Sequence, residues 1–273
     1  MVRFTACDLF CASLLVIASS PRAAQAQSNP EEVVFPNKAL RLHGLVWKPS
    51  GSGPFPAILW NHGSERMPGA QPKLAEFYLQ HGFVLFLPHR RGQGLSPGNY
   101  IQDLIQNAPP FGRAQLMIEL QEEEVSDVVA AVQFLRSQPF VDANRIAISG
   151  CSYGGIQTLL AGERDLGVKA LVPFAPGAMS WDRNQLLPSR LKMAVDRATA
   201  PVFLIQAEND YSIEPIRTLS KEAEKKHKNF RSKLYPAFGS THHDGHWRFC
   251  STATDVWGND VLAFLEQQMN PTK

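Results

Sequence analysis

The sequence predicts an α/β fold: a mostly parallel central sheet with helices on both faces. Three observations predict it. The runs Pro56–Trp60, Phe83–Leu87, Val168–Phe174 and Pro201–Gln206 are short and continuously apolar, without the polar alternation of a half-solvated strand. Segments of helical periodicity separate them, which is the order expected of parallel strands joined by crossovers. Between them lies Arg145–Gln157, R-I-A-I-S-G-C-S-Y-G-G-I-Q, in which a short apolar strand runs through a glycine-framed turn into an apolar segment of helical spacing. There is no internal repeat and no low-complexity linker, so a single domain is expected.

Length and charge bound the rest. The chain has 273 residues and a formal net charge of +2, from 27 Lys and Arg against 25 Asp and Glu. That balance points to neither nucleic acid nor an anionic surface as a partner. Met1-Val2-Arg3 carries a positive charge, Leu9–Ser19 is largely apolar, and Ala24-Gln25-Ala26 is a small-x-small site. This layout predicts a secretory signal peptide over 1–26 and an exported domain over 27–273. No later stretch is long and apolar enough to span a bilayer. Of the four cysteines, Cys7 and Cys11 leave with the leader, and Cys151 and Cys250 remain. Export permits a disulfide between them, while a reduced buried Cys151 is an equally good reading.

In chain order, Ser28–Pro36 leads into the domain and Leu40–Trp47 alternates loosely as a strand, closed by Pro49 and a turn-rich stretch. Pro56–Trp60 is a buried strand ending at Asn61-His62-Gly63-Ser64. Leu74, Phe77, Tyr78 and His81 recur at helical spacing before Gly82 stops the helix, and Phe83–Leu87 is the next strand. Residues 97–118 are rich in proline and glycine and predict an irregular excursion. Glu122–Ser137 is an amphipathic helix whose Val125, Val128, Val129, Val132 and Leu135 share a face. Its Glu122-Glu123-Glu124 reads as first-turn carboxylates facing a positive helix end. After the glycine-framed turn come a strand at Val168–Phe174, a second irregular stretch at 175–199, and a strand at Pro201–Gln206. A polar helix at Ile213–His227, a strand at Ser232–Tyr235 and a final helix at Val256–Gln268 complete the chain.

The chemistry gathers where strands end, since ligands in such sheets bind beyond the carboxyl ends of the strands. Gly150-Cys151-Ser152-Tyr153-Gly154 is a G-x-S-x-G pattern between strand and helix, the context of a nucleophile elbow. The glycines frame Ser152 and not Cys151, which favours serine as nucleophile. A serine hydroxyl needs a base to take its proton and a carboxylate to orient that base. In this topology acid and histidine follow the serine in that order. The acid is Asp210, just past a buried strand, with Glu208 as the alternative. The histidine comes from His242, His243 and His246, of which His246 is favoured because Gly245 lets the loop turn sharply, with His243 second. The same cluster offers a second reading as a metal site built from His242 or His243 with Asp244 and His246, although its spacing matches no common zinc pattern. Oxyanion donors are expected from the N–H of Tyr153 and of Ser64, with Glu65 as fallback, and His62 supports that loop. Phe111 and Trp181, in the two irregular stretches, are expected to wall the substrate pocket.

Taken together, Asn61-His62-Gly63, Arg91–Ser96, Val141–Ala147, Gly150–Gly155, Asp210, Tyr235-Pro236 and Gly245-His246 resemble the α/β-hydrolase superfamily. Within it the chain is most similar to the dienelactone hydrolase-related group and the catalytic domains of prolyl-oligopeptidase-type enzymes. The resemblance implies an α/β-hydrolase fold and a Ser152, Asp210, His246 triad. It implies a serine hydrolase acting on a small-molecule ester or lactone, without metal or organic cofactor. An amidase or peptidase, or a catalytically silent binding protein on the same fold, are the other readings. Dienelactone hydrolases proper use a cysteine nucleophile, so Ser152 departs from them.

Overall fold

The structure is a computed structural model and describes Met1 and residues 29–270; the signal-peptide reading, with Cys7 and Cys11, lies outside the described residues. Eight strands form one sheet in the order β1-β2-β4-β3-β5-β6-β7-β8. The strands are β1 (Glu31–Asn37), β2 (Leu40–Trp47), β3 (Phe55–Asn61), β4 (Val84–Pro88), β5 (Val141–Cys151), β6 (Ala170–Phe174), β7 (Val202–Ala207) and β8 (Phe230–Tyr235). The β1–β2 and β2–β4 ladders are antiparallel, and every ladder from β4 to β8 is parallel. The sheet is therefore mostly parallel, and this α/β-hydrolase architecture is the one expected.

Side-chain alternation divides the apolar strands between two cores. Along β3, Ala57 and Leu59 face one cluster while Ile58 and Trp60 face the other. The first cluster is roofed by α3 (Arg113–Ser137), α4 (Tyr153–Gly162), α5 (Leu187–Arg197) and α6 (Glu214–Lys225), through residues such as Val125, Leu159, Leu191 and Leu219. The second is covered by α1 (Pro72–Gln80), α7 (Phe249–Thr252) and α8 (Thr254–Met269), through Leu74, Tyr78, Phe249, Trp257 and Phe264. Among the described residues no helix is long and apolar enough to cross a membrane.

Several elements differ from expectation. Ser28–Pro36 is not a plain leader, because β1 pairs along its whole length with β2. Its Pro36 is tolerable at a sheet edge, where the lost donor faces no partner strand. The excursion at 97–118 contains α2 (Ile101–Asn107), a 3₁₀ turn at Pro110–Gly112 and the first turns of α3. The stretch 175–199 contains α5, whose buried Leu187, Leu191, Ala194 and Val195 recur at helical spacing. Because α3 starts at Arg113, Glu122, Glu123 and Glu124 lie well inside it and cannot act as first-turn carboxylates. They serve instead as ion-pair partners: Glu122 with Arg190 at 2.6 Å, Glu123 with Arg91, and Glu124 with Arg90 at 3.3 Å.

The open question about the cysteines is settled by a disulfide between Cys151, the last residue of β5, and Cys250 in α7, with Cα atoms 6.0 Å apart and a sequence separation of 99. Both are buried. Cross-linking so long a loop restricts the unfolded chain far more than the folded one. Replacing both cysteines with alanine is expected to cost about 2–5 kcal/mol. Urea unfolding checks this, and an unchanged midpoint would contradict it.

Candidate active site

The order of the strands opens a crevice. From β3 the chain steps to β4 on one side and later to β5 on the other, so the loops after β3 and β5 diverge at a topological switch point. The loop after β3 carries His62–Glu65, and the turn after β5 carries Ser152.

Ser152 sits at φ 59°, ψ −115°, between the end of β5 and the first residue of α4. A non-glycine residue in this region costs about 1–3 kcal/mol, and here the surroundings impose it. The Ser152 N–H donates to Phe174 O at 3.0 Å, and Ser152 O accepts from the N–H groups of Ile156 at 3.1 Å and Gly177 at 3.3 Å. The flanking glycines are required by close approach: a Cβ at Gly154 would stand 1.9 Å from Asn61 O, and one at Gly150 would stand 2.6 Å from it. The elbow is thus wedged against the end of β3. Tyr153 opens α4, so its N–H has no intrahelical acceptor and belongs to the positive end of the helix.

The β3 loop is held by its carbonyls. Gly63 O accepts from Arg90 Nη2 at 2.6 Å and from Gln93 Nε2 at 3.4 Å. Ser64 O accepts from the Tyr100 hydroxyl, and Glu65 O from Gln93 Nε2 at 2.8 Å. Across a trans peptide the N–H points opposite to the C=O, so pinning Gly63 O on Arg90 turns the Ser64 N–H the other way. In Glu65, the fallback, burial raises the carboxyl against the opposing pulls of its own N–H, of Arg90, of the Gly63 N–H and of His246. His62 is buried, and burial together with Arg90 and His89 holds its ring well below the usual histidine range. As a neutral ring it donates from Nδ1 to Gly63 O at 3.0 Å and accepts the Arg90 N–H at Nε2 at 3.4 Å, the loop support expected of it.

Arg90 ties this loop to the elbow. Its guanidinium lies 4.8 Å from the centre of the Tyr153 ring, and its Nε is 3.3 Å from Glu124 Oε2, a charge contact without hydrogen-bond alignment. The Tyr153 hydroxyl donates to the same Oε2 at 2.8 Å. Burial pushes the Glu124 carboxyl up to about 7, against the opposing pulls of Arg90 and of the Tyr153 hydrogen bond.

Asp210 and His246 come together. His246 Nδ1 lies 2.8 Å from Asp210 Oδ1, both side chains are buried, and the contact is close but imperfectly aligned. Asp210 is itself fixed, accepting at Oδ2 from Gln206 Nε2 at 2.9 Å and at Oδ1 from the Tyr211 N–H at 2.6 Å. The other ring nitrogen of His246, Nε2, is buried and has no partner among the described residues, and the ring lines a cavity of about 740 Å³ together with Ser152, Ser64 and Glu65. Glu208, the alternative acid, is exposed. His242 is exposed and directs Nδ1 toward Asn209 O at 3.0 Å, while His243 is an exposed residue on the cavity wall. Asp244 accepts from the N–H groups of Ser240 and Thr241 and pairs with Arg248 at 2.9 Å. The histidine cluster is therefore divided among separate tasks, and among the described residues it does not gather into a metal-ligand set. Gly245 has a different role from the one expected. It lies within a π-helical turn at Asp244–Arg248 without positive φ, and a Cβ there would meet Asn209 Oδ1 at 2.4 Å. Its smallness lets the histidine segment pack on the segment that carries Asp210.

Two pocket assignments are corrected. Phe111 is 94% exposed on its 3₁₀ turn, and Trp181 is 5% exposed, packed into the core under α3 to α6. The walls come from neighbours in the same two stretches and beyond: Tyr100, Met179, Tyr211 and Trp247 in the first cavity, Ile105 and Met117 in a second of about 520 Å³ that also reaches Ser152. Sequence reading also missed Arg90, Gln93, Tyr100 and Glu124. The only trace was the R-R-G-Q-G stretch after a buried strand.

This fold and site define a hydrolase of the α/β-hydrolase superfamily, of the serine-hydrolase kind. The family model for X-Pro dipeptidyl-peptidase (S15 family) matches residues 38–238, and the chain belongs to that family. An uncharacterized peptidase of Bacillus subtilis, YtmA, is 24% identical over 234 residues, covering 76% of this chain and 84% of the relative. Two solved structures share the fold. An acylaminoacyl peptidase of Pyrococcus horikoshii aligns with TM-score 0.66 and 18% identity over 90% of this chain, which spans 42% of that peptidase. A Pyrococcus furiosus esterase aligns with TM-score 0.66 and 16% identity over 94% of this chain and 96% of its own. Two further curated relatives are likewise longer, the chain spanning 56% and 26% of their lengths.

The Glu124 carboxyl gives the fold a pH signature. Its folded value of about 7 stands above its ordinary 4.5, so the folded protein holds a proton that the unfolded chain releases between those limits. The stability contributed is full below about pH 4.5 and is lost as pH rises through about 7. Glu124→Gln is expected to flatten the fall in urea midpoint between pH 5 and pH 8, and an undiminished fall would contradict the assignment.

Proposed function

We propose that the chain is an exported serine hydrolase that cleaves carboxylic esters or lactones through an acyl-enzyme. The observation that carries this reading is the buried contact of His246 Nδ1 with Asp210 at 2.8 Å, in a cavity that also receives Ser152 from its strained elbow. In this mechanism Ser152 Oγ attacks the carbonyl carbon while His246 Nε2 takes its proton, and Asp210 holds the imidazole and stabilises the imidazolium. The oxyanion is received by the N–H groups of Ser64 and Tyr153, each donor being worth roughly 10²–10³ in kcat. The imidazolium then protonates the leaving oxygen, and water activated by the same ring releases the acyl group. No metal or organic cofactor enters this route. A small-molecule ester is the partner, and neither nucleic acid nor a membrane span is invoked.

Likeness to an esterase over nearly the whole of both chains supports the ester reading. Membership of the S15 family and the peptidase names among its relatives favour a second reading, an amidase or peptidase using the same residues. Ester and anilide substrates with a common acyl group separate the two. Export is supported by the Cys151–Cys250 disulfide, which belongs to an oxidising compartment, and by the leader-like N-terminus. A reading as a silent binding protein fits less well, because nucleophile, base and acid are all present.

Ser152→Ala is expected to lower kcat by roughly 10⁴ or more with little change in stability, and to abolish labelling by a fluorophosphonate probe. Full activity in that variant would overturn the reading. His246→Ala should lose activity to a comparable extent, whereas His243→Ala should retain turnover within about tenfold. A dead His243 variant beside an active His246 variant would reassign the base.

A further inference from the structure

The cleft has two arms, and Ser152 stands where they meet. Ser64, Ser152 and Met179 line both cavities, whereas His246 lines only the first. A leaving group must collect its proton from that imidazole, so, on the hydrolase reading above, the alcohol departs through the first arm. The acyl portion of the substrate then occupies the second.

The arms differ in charge. The first includes a carboxyl, Glu65, beside the catalytic ring. The second has no Asp or Glu among its lining residues, and it has two arginines, Arg113 and Arg183. Arg113 is anchored by its own neighbourhood, Nε donating to Ala108 O at 2.9 Å and Nη2 to Gln106 O at 2.8 Å, which fixes its charge in place. Arg183 is exposed, and among the described residues its guanidinium is in no ion pair. Arg113 and Ala114, both on the cavity wall, open the 25-residue helix α3, which has no side-chain cap and no acidic residue in its first turn. The positive end of a long helix therefore adds to the same field. The same wall presents apolar surface from Ile105, Met117 and Ile156, alongside the neutral polar groups of Gln102, Ser180 and Asn184.

We propose that this arm selects an acyl chain ending in a carboxylate, so that the preferred substrates are half-esters of aliphatic dicarboxylic acids. The methylene chain lies along Ile105, Met117 and Ile156, and the distal carboxylate is received by Arg183 and Arg113. Guanidinium suits this task because its paired donors match both oxygens of a carboxylate. An uncharged acyl chain of equal length would leave the arginines solvated and gain nothing from them.

The test compares kcat/KM for the 4-nitrophenyl half-ester of adipic acid with that for 4-nitrophenyl hexanoate, which has the same acyl carbon count. The full chain is expected to prefer the anionic ester by tenfold or more at low ionic strength, with the ratio shrinking as salt is raised. Arg183→Gln should lower that ratio at least tenfold, Arg113→Gln should lower it in the same direction, and Arg183→Glu should reverse it. A wild-type preference for hexanoate, or a ratio unmoved by Arg183→Gln, would overturn the inference. So would failure to hydrolyse either ester while Ser152 still takes up a fluorophosphonate probe. Loss of probe labelling itself would instead strike the hydrolase reading.

Discussion

A single buried guanidinium sets the geometry of the candidate site. Arg90 is withdrawn from solvent at the end of β4, and it touches both halves of the site that must cooperate. One edge binds Gly63 O and so fixes the Gly63–Ser64 peptide, turning the Ser64 N–H away from Arg90. Its face covers the Tyr153 ring, whose hydroxyl and whose partner Glu124 complete the cluster. The two backbone donors that an oxyanion would use come from different loops, separated by some ninety residues of chain, and neither loop can fix the other's position locally. A buried charge is costly to strand, and removing one partner of such a pair typically costs about 3–5 kcal/mol. That penalty keeps the loops from drifting apart. The same burial holds Glu124 near neutrality in its titration, so the brace is sensitive to pH in a way that a surface ion pair is not.

The rest of the architecture serves this crevice. Parallel strands deliver the loop after β3, the elbow after β5 and Asp210 after β7 to one edge of the sheet, while His246 arrives from the segment after β8. Two covalent or steric locks then restrain the most strained parts. Asn61 at the end of β3 leaves room only for glycine at position 154, which forces the tight turn that presents Ser152. The Cys151–Cys250 bridge ties the residue before the serine to the helix just beyond the histidine turn. Ser152 and His246 are thereby referred to each other through a short path, independent of the long loops around the cleft. Family membership in S15 agrees with this layout, and the arms of the cleft, where charge differs, are where the chain's own specificity would reside.

Much of this was legible in the residues. Buried parallel strands show as unbroken apolar runs, so β3, β4, β6 and β7 could be placed to within a residue or two. The meeting of Asp210 with His246 followed from their positions after successive strands. What escaped was governed by distant contacts. β1 is charged and contains Pro36, and its strand character comes from pairing with β2 and not from its own pattern. The first turns of α3 mix polar and apolar residues because they roof a cavity, so the periodicity that marks Val125–Leu135 is absent there. Arg90 and Glu124 look like surface charges until the fold buries them against each other. Phe111 and Trp181 lie in the two stretches that reach the cleft, but a place in such a stretch says nothing about direction; one faces solvent and the other the core.

In the proposed mechanism two backbone amides, brought together by Arg90, face the carbonyl that Ser152 attacks. A crystal structure of the protein inactivated by a phosphonate ester tests it most directly, since the tetrahedral phosphorus copies the reacting carbon. The account predicts a bond from Ser152 Oγ to phosphorus, with the phosphoryl oxygen about 2.7–3.1 Å from the amide nitrogens of both Ser64 and Tyr153. An adduct whose phosphoryl oxygen points to solvent, or rests on side chains away from those two amides, would contradict it.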